Sequence, residues 1–298
     1  VQDTLIERRD YDVPGGTLSA VHFGRIENPV KLVFLHANGF NAFAYRTVLA
    51  PLGVHAIALD LRGHGMSNLP TDVDALTNWH IFRDDVEAFF ERYIDRPVVL
   101  GGHSYGAVSG ILLSAIIKNK LSGYIGFDPV MIPPLFRFGS QFKVFRDMTK
   151  KRLPIARGAG RRKFVFKDLE EAYQRYEGRG AFKGFNDQAL RDYLKGGLKP
   201  HPDGVQLACH PLWEQAIFAA QAHNLFKAAH GLPENTHIIS AGKHAVSSVS
   251  LRNKIQKQLR GGHVEFKPEF THLFPFQETE FATHAIQNVL QKAALGKP

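Results

Sequence analysis

The chain has 298 residues, 44% of them hydrophobic and 22% charged, with a formal net charge of +9. That balance excludes a disordered or fibrous protein and leaves room for one large α/β domain, with or without an inserted subdomain. The single cysteine, Cys209, excludes an intramolecular disulfide and reads as a small buried hydrophobe, and no apolar run reaches the length of a membrane span.

Val1-Gln2-Asp3-Thr4 has no signal-peptide pattern, so the expected location is the cytoplasm; a start without methionine leaves a processed leader open. The next segments, 7–13 and 17–23, flank Pro14-Gly15-Gly16 and predict a β-hairpin. Strand and helix then alternate. Strands are expected at 30–35, 54–59, 98–100 and 124–127, with helices at 42–49, 78–94 and 105–117. Such alternation predicts a mostly parallel sheet with helices on both faces, and sites in such sheets lie beyond the carboxyl ends of the strands.

The rhythm breaks at Pro133-Pro134. From there to about His230 come helical stretches at 168–176, 187–194 and 211–222, separated by Gly- and Pro-bearing turns such as Lys199-Pro200-His201-Pro202. Residues 133–230 are therefore expected to form an inserted helical cap, with 1–132 and 231–298 as the core. The α/β pattern resumes with strands at 237–240 and 263–266 and helices at 247–259 and 278–291.

The positive charge is concentrated in the cap. Lys143, Arg146, Lys150, Lys151, Arg152, Arg157, Arg161, Arg162 and Lys163 stand against Asp147 alone. Such a run attracts phosphate headgroups, nucleic acid or an acidic partner, and it equally suits a solvated surface segment. No nucleic-acid-binding module accompanies it, so no nucleic acid is expected, whereas transient contact with a membrane surface is compatible with it.

Three motifs fall at strand ends: His36-Ala37-Asn38-Gly39-Phe40 after the 30–35 run, the turn Asp60 to Ser67, and Gly102-His103-Ser104-Tyr105-Gly106 between a strand and a helix. The last is a G-x-S-x-G pattern in the context of a nucleophile elbow, where a sharp turn lifts a serine hydroxyl above the sheet. Together, FLHANGF, ALDLRGHGMSN and GGHSYGA resemble the α/β-hydrolase fold superfamily from roughly Lys31 to the C-terminal helix. The resemblance is to its serine esterase and lipase-like branch, with an inserted cap and the acid after strand 6.

A serine hydroxyl needs a base and a group that orients the base. The resemblance puts the histidine just before the final helix, at His272. The common acid position, in the loop Gly242 to Ser247, holds Ala245 in place of an aspartate, and no carboxylate lies between Glu234 and Glu265. Asp128, at the carboxyl end of the strand after the nucleophile, occupies the location some lipase and dehalogenase branches use. Capping the turn before Pro129 is its competing reading. The resemblance assigns the oxyanion donors to the backbone N–H groups of Asn38 and Tyr105, while the Asn38 side chain either donates too or braces its loop. His36 and the Asp60–Ser67 turn are read as architectural.

A serine at the elbow implies an acyl-enzyme, hence hydrolysis of a small-molecule carboxylic ester, and the aromatic, basic cap favours an apolar acyl part, with or without an anionic group. Lipase, lysophospholipase, lactonase, thioesterase, acyltransferase and C–C hydrolase chemistry use the same serine, and a small-molecule receptor on this fold is the non-enzymatic alternative. No metal or other cofactor is expected: His36, His64 and His103 form no recognised ligand set, and P-loop and dinucleotide fingerprints are absent.

Overall fold

A computed structural model describes residues 6–243 and 247–296; Ala245 and Val1 to Thr4 lie outside them. The hairpin pairs β1 (Ile6–Val13) with β2 (Gly16–Phe23) antiparallel. There follow β3 (Leu32–Leu35), a 3-10 turn at Ala42–Tyr45 running into α1 (Arg46–Leu49), β4 (Ala56–Leu59), α2 (His80–Tyr93), β5 (Val98–His103), α3 (Tyr105–Ser114) and β6 (Leu121–Phe127). After the insertion come β10 (Thr236–Lys243), α11 (Val249–Gln256), β11 (His263–Thr271), α12 (Phe274–Gln277) and α13 (Thr279–Leu295).

The sheet has eight strands in the order β1-β2-β4-β3-β5-β6-β10-β11, parallel from β4 onward. Its inner strands are short unbroken apolar runs because both faces are covered. In β3, Val33 and Leu35 join Phe82, Phe89 and Val108 from α2 and α3 on one face. Leu32 and Phe34 point to the other, with Val48, Phe274 and Ile286 from α1, α12 and α13. The period of two thus places one core on each side.

β11 is longer than the expected 263–266. Pro268 reads as a strand breaker in sequence, yet β11 is the edge strand, where a missing N–H costs no ladder bond. Pairing with β10 shifts register between Ala241 and Lys243, and a Cβ on Gly242 would lie 2.4 Å from Pro268 Cα. Glycine there lets the two chains close, and the extended strand ends next to His272.

The insertion between β6 and β10 is not wholly helical. It contains α4 (Pro134–Gly139), α5 (Lys143–Arg152), α6 (Pro154–Ala159), α7 (Leu169–Tyr176), α8 (Asp187–Gly197), α9 (Pro211–Ala219) and α10 (Leu225–Ala228). It also holds a three-stranded antiparallel sheet of β7 (Val165–Phe166), β9 (Gly204–Leu207) and β8 (Leu198–His201), in that order. The stretch expected as a turn, Lys199 to His201, is strand β8; Pro200 is tolerated because β8 is an edge.

Hydrogen bonds fasten the insertion to the core loops. Asn41 Nδ2 donates to Tyr193 O (2.9 Å), Trp213 Nε1 to Arg62 O (3.0 Å) and Trp79 Nε1 to Ile217 O (3.1 Å). Nor is the basic run simply solvated: Arg146 is buried, with Nη1 donating to Ser140 O and Gln141 O, and Arg162 is paired inside the insertion.

Candidate active site

Ser104 follows β5 and is the N-cap of α3, with φ 55° and ψ −118°. The motif's glycines allow this turn: a Cβ on Gly106 would lie 2.3 Å from Leu35 O, and one on Gly102 2.7 Å from Ala107 N. The other non-glycine residue with positive φ among those described is Asp128, at 39°. Such backbone costs of order 1–3 kcal/mol per residue and persists where surrounding contacts over-determine it. Here Ser104 N–H donates to Phe127 O (2.8 Å) and Asp128 N–H to Ile239 O (2.7 Å), so β5, β6 and β10 hold both strained residues side by side.

His272 bridges them. Its Nε2 lies 2.9 Å from Ser104 Oγ and its Nδ1 2.6 Å from Asp128 Oδ2. With Nδ1–H donating to the carboxylate, the Nε2 lone pair faces the serine hydroxyl, the tautomer a general base requires. Asp128 is fully buried; its Oδ1 accepts from Ala241 N–H (3.0 Å) and Ser240 Oγ (3.3 Å). Among the described residues, neither oxygen bonds the turn before Pro129. Ser104 is 5% exposed.

The loop after β3 runs beside this row. Asn38 uses its side-chain amide to donate to Glu214 O (3.0 Å), so the side chain braces the loop. Among the described residues, no partner takes the backbone N–H of Asn38 or of Tyr105, the first residue of α3. Loop shape is set by neutral imidazoles. His36 donates from Nδ1 to Ala37 O (2.7 Å) and accepts at Nε2 from Leu61 N–H (2.9 Å); His64 Nδ1 donates to Arg62 O (3.0 Å), and its Nε2 accepts from Gly39 N–H (3.1 Å). Burial pushes these two pKa values down to about 4 and about 3. Asp60 fixes the adjoining turn, accepting from Ala42 N–H (2.7 Å), Met66 N–H (2.9 Å) and Arg8 Nη1 (2.5 Å).

Sequence reasoning missed the role of His103, the residue before the serine. It is fully buried, with Nε2 2.8 Å from His272 O and Nδ1 2.7 Å from Tyr45 OH, and Tyr45 OH also accepts from Ala37 N–H (3.0 Å). Also missed was the pair Arg162 Nη1–Glu214 Oε2 (2.6 Å), since no sequence pattern links residues 52 apart. Burial pushes the Cys209 thiol well up, which suits an inert core residue.

One group of side chains capable of holding a metal occurs among the described residues: His237, His263 and Glu265, with ligand atoms within 4.8 Å of one another. They sit at the amino ends of β10 and β11, opposite the strand ends that carry Ser104 and Asp128, and Glu265 is already bonded to Lys267 (2.7 Å) and His237 (2.9 Å).

A parallel sheet with a strained serine at its central strand end, facing a histidine that faces a buried aspartate, defines the class of α/β-fold hydrolases. The chain belongs to the alpha/beta hydrolase family, whose model matches residues 32–257. Among curated proteins it is similar to human Protein ABHD8, 38% identical over 113 residues that make up 36% of this chain and 26% of that protein. It is also similar to monoglyceride lipase of Saccharomyces cerevisiae, 26% identical over 43% of this chain and 44% of the lipase. The matched part thus spans about a quarter to under half of these relatives' lengths. Among solved structures, E-2-(acetamidomethylene)succinate hydrolase aligns with TM-score 0.77 at 19% identity, over 96% of this chain and 100% of that one. The Mycobacterium tuberculosis esterase Rv0045c aligns with TM-score 0.71 at 19% identity, over 98% and 94%. These structural likenesses show the fold.

Proposed function

We propose that the chain is a serine hydrolase that cleaves carboxylic esters through an acyl-enzyme. The observation that carries this reading is the unbroken row Asp128 Oδ2–His272 Nδ1 (2.6 Å) and His272 Nε2–Ser104 Oγ (2.9 Å). Ser104 Oγ attacks the ester carbonyl while His272 takes its proton; Asp128 stabilises the imidazolium; the free N–H groups of Asn38 and Tyr105 receive the developing oxyanion. His272 then protonates the leaving alcohol, and a water deprotonated by His272 releases the acid. Relatives named as an esterase and a monoglyceride lipase support ester chemistry.

Residues 133–230 act in this reading as a cap over the serine. The test is labelling with a fluorophosphonate followed by turnover of short- and long-chain p-nitrophenyl esters. Ser104 takes the label in the folded protein and Ser104→Ala does not. Absence of labelling in a folded protein with no ester turnover would exclude the proposal and favour the receptor alternative.

We further propose that the cap touches anionic membrane surfaces. Leu135 (80% exposed), Phe138, Phe142, Val144 (82%), Met148 and Ile155 form about half of the large exposed apolar side chains among the described residues. They are interleaved with Arg137, Lys143, Lys151 and Arg152. Apolar groups set among cations match the boundary between acyl chains and anionic headgroups, whereas a second copy of the same basic face would be repelled. No helix among the described residues is long and apolar enough to cross a membrane. Sedimentation with phosphatidylcholine vesicles should rise when phosphatidylglycerol is included and fall with Phe142→Glu; equal sedimentation with both vesicles would remove this part of the proposal. The lone buried Cys209 suits a reducing compartment such as the cytoplasm.

A further inference from the structure

A cavity of about 530 Å³ opens within the insertion, against the outer side of the loop that carries Asn38. Phe40, Tyr176 and Phe182 give it an apolar lining, and Arg162, Arg175 and Arg179 line it together with one carboxylate, Glu214. The Arg162 charge is already matched. Its Nη1 donates to Glu214 Oε2 (2.6 Å) and its Nη2 to Tyr193 OH (2.5 Å) and Tyr176 OH (3.2 Å). Arg175 and Arg179 differ: both are exposed, and among the described residues neither guanidinium has a carboxylate partner. Glu177, which stands between them in sequence, accepts from Tyr173 OH (2.8 Å) and does not line the cavity.

The loop that bears Asn38 reaches this cavity. Glu214 O receives the Asn38 amide (3.0 Å), and a Cβ on Gly39 would lie 2.6 Å from Glu214 Oε1. Phe40, two residues past Asn38, lines the cavity and stacks on Phe276 at 4.9 Å, and Phe276 in turn packs against His103. The Asn38–Phe40 loop therefore stands between the proposed reaction site and a chamber that combines an apolar lining with two unmatched cations.

We propose that this chamber is a subsite for an anionic end group, so that the substrate is an ester whose apolar chain ends in a carboxylate or similar oxyanion, held by Arg175 and Arg179. The inference rests on the ester-hydrolase reading. Guanidinium pairs with oxyanions by charge-assisted, often bidentate hydrogen bonds, and each tenfold preference corresponds to about 1.4 kcal/mol. Glu214, neutralised by Arg162, does not oppose the incoming charge.

The probes are p-nitrophenyl hydrogen suberate and its neutral counterpart, p-nitrophenyl methyl suberate. The native protein should favour the hydrogen suberate in kcat/KM by about tenfold or more, mostly through KM. In Arg175→Gln/Arg179→Gln the ratio between the two substrates should fall towards one, and it should fall with added salt in the native protein. A second measurement needs no turnover: Ser104→Ala protein, titrated calorimetrically, should bind monomethyl suberate about tenfold more tightly than dimethyl suberate. Equal binding of the two overturns the subsite, as does a preference that survives loss of both arginines. If the half-ester preference persists while Ser104 neither labels nor turns over esters, the hydrolase reading fails and the anion subsite stands.

Discussion

His103 Nε2 lies 2.8 Å from the carbonyl oxygen of His272, and this contact fixes the protons of a buried row. A carbonyl only accepts, so Nε2 carries the hydrogen, and Nδ1 is left to accept from Tyr45 O–H at 2.7 Å. The Tyr45 oxygen then accepts from Ala37 N–H at 3.0 Å. Burial, reinforced by His272, holds the His103 pKa well below its ordinary value, so the ring stays neutral and the pattern is stable. One row thus ties the loop that bears Asn38 to the main chain that bears His272.

Tyr45→Phe tests this row. The substitution leaves Ala37 N–H and His103 Nδ1 without partners, each costing roughly 1–3 kcal/mol when buried. The expected result is a lower urea midpoint together with a kcat reduced about tenfold and KM close to native, because geometry rather than binding is disturbed. A lower midpoint with unchanged kcat would make the row purely structural.

Asp128→Asn should lower kcat by about three to four orders of magnitude, by analogy with serine triads in which the amide selects the wrong imidazole tautomer. The fold should persist, since an asparagine oxygen still accepts from Ala241 N–H. Circular dichroism and ester turnover on the same preparation check both halves. Activity within tenfold of native would remove Asp128 from the proposed triad.

Arg62 and Asp85 form a buried bidentate pair, with Nε–Oδ2 at 2.8 Å and Nη2–Oδ1 at 2.6 Å, and Arg62 also donates to Pro70 O at 2.7 Å. Asp85→Ala leaves the guanidinium uncompensated, which costs about 3–5 kcal/mol. Equilibrium urea unfolding should show the loss. A double replacement by apolar residues should recover much of it.

Stability should fall on mild acidification. Burial lowers the pKa of His36 to about 4 and those of His64 and His223 to about 3. An unfolded histidine titrates near 6.5, so below that the unfolded chain binds more protons than the folded one. The stabilisation is complete above about pH 6.5 and declines as pH falls, to about 4 for His36 and about 3 for His64 and His223, each ring contributing on the order of a few kcal/mol. Among the described residues, His223 has no partner for either ring nitrogen, and it stacks on Trp79 at 4.5 Å. His223→Phe keeps the stack, so it should raise the midpoint at pH 5 relative to native more than at pH 7; equal shifts at both would show that His223 does not titrate in unfolding.

The parts legible in sequence are those with short-range causes. Unbroken apolar runs mark the inner strands, and glycine spacing marks the elbow, because a Cβ at Gly106 would strike the neighbouring loop. Long-range pairing left no such mark. The strands of the small sheet are only two to four residues long and include Pro200, and β11 continues through Pro268 only because it is an edge. His103 sits inside the motif, yet its partners lie 58 and 169 residues away. The Gly242–Ser247 loop lacks a carboxylate, which leaves either no normal triad or an acid elsewhere, and the resemblance supplied Asp128 as the candidate.

The register shift at Gly242 has a consequence for how the protein loses activity. Ser104 and Asp128 stand at the ends of interior strands, whereas His272 hangs from the tip of the outermost one, whose residues are exposed or half-buried throughout. Edge segments open at lower free energy than the sheet interior. The proposed base is therefore the first member of the row to be released as conditions become harsher, and esterase activity should vanish at urea concentrations where the central strands, and the core signal they carry, are still intact.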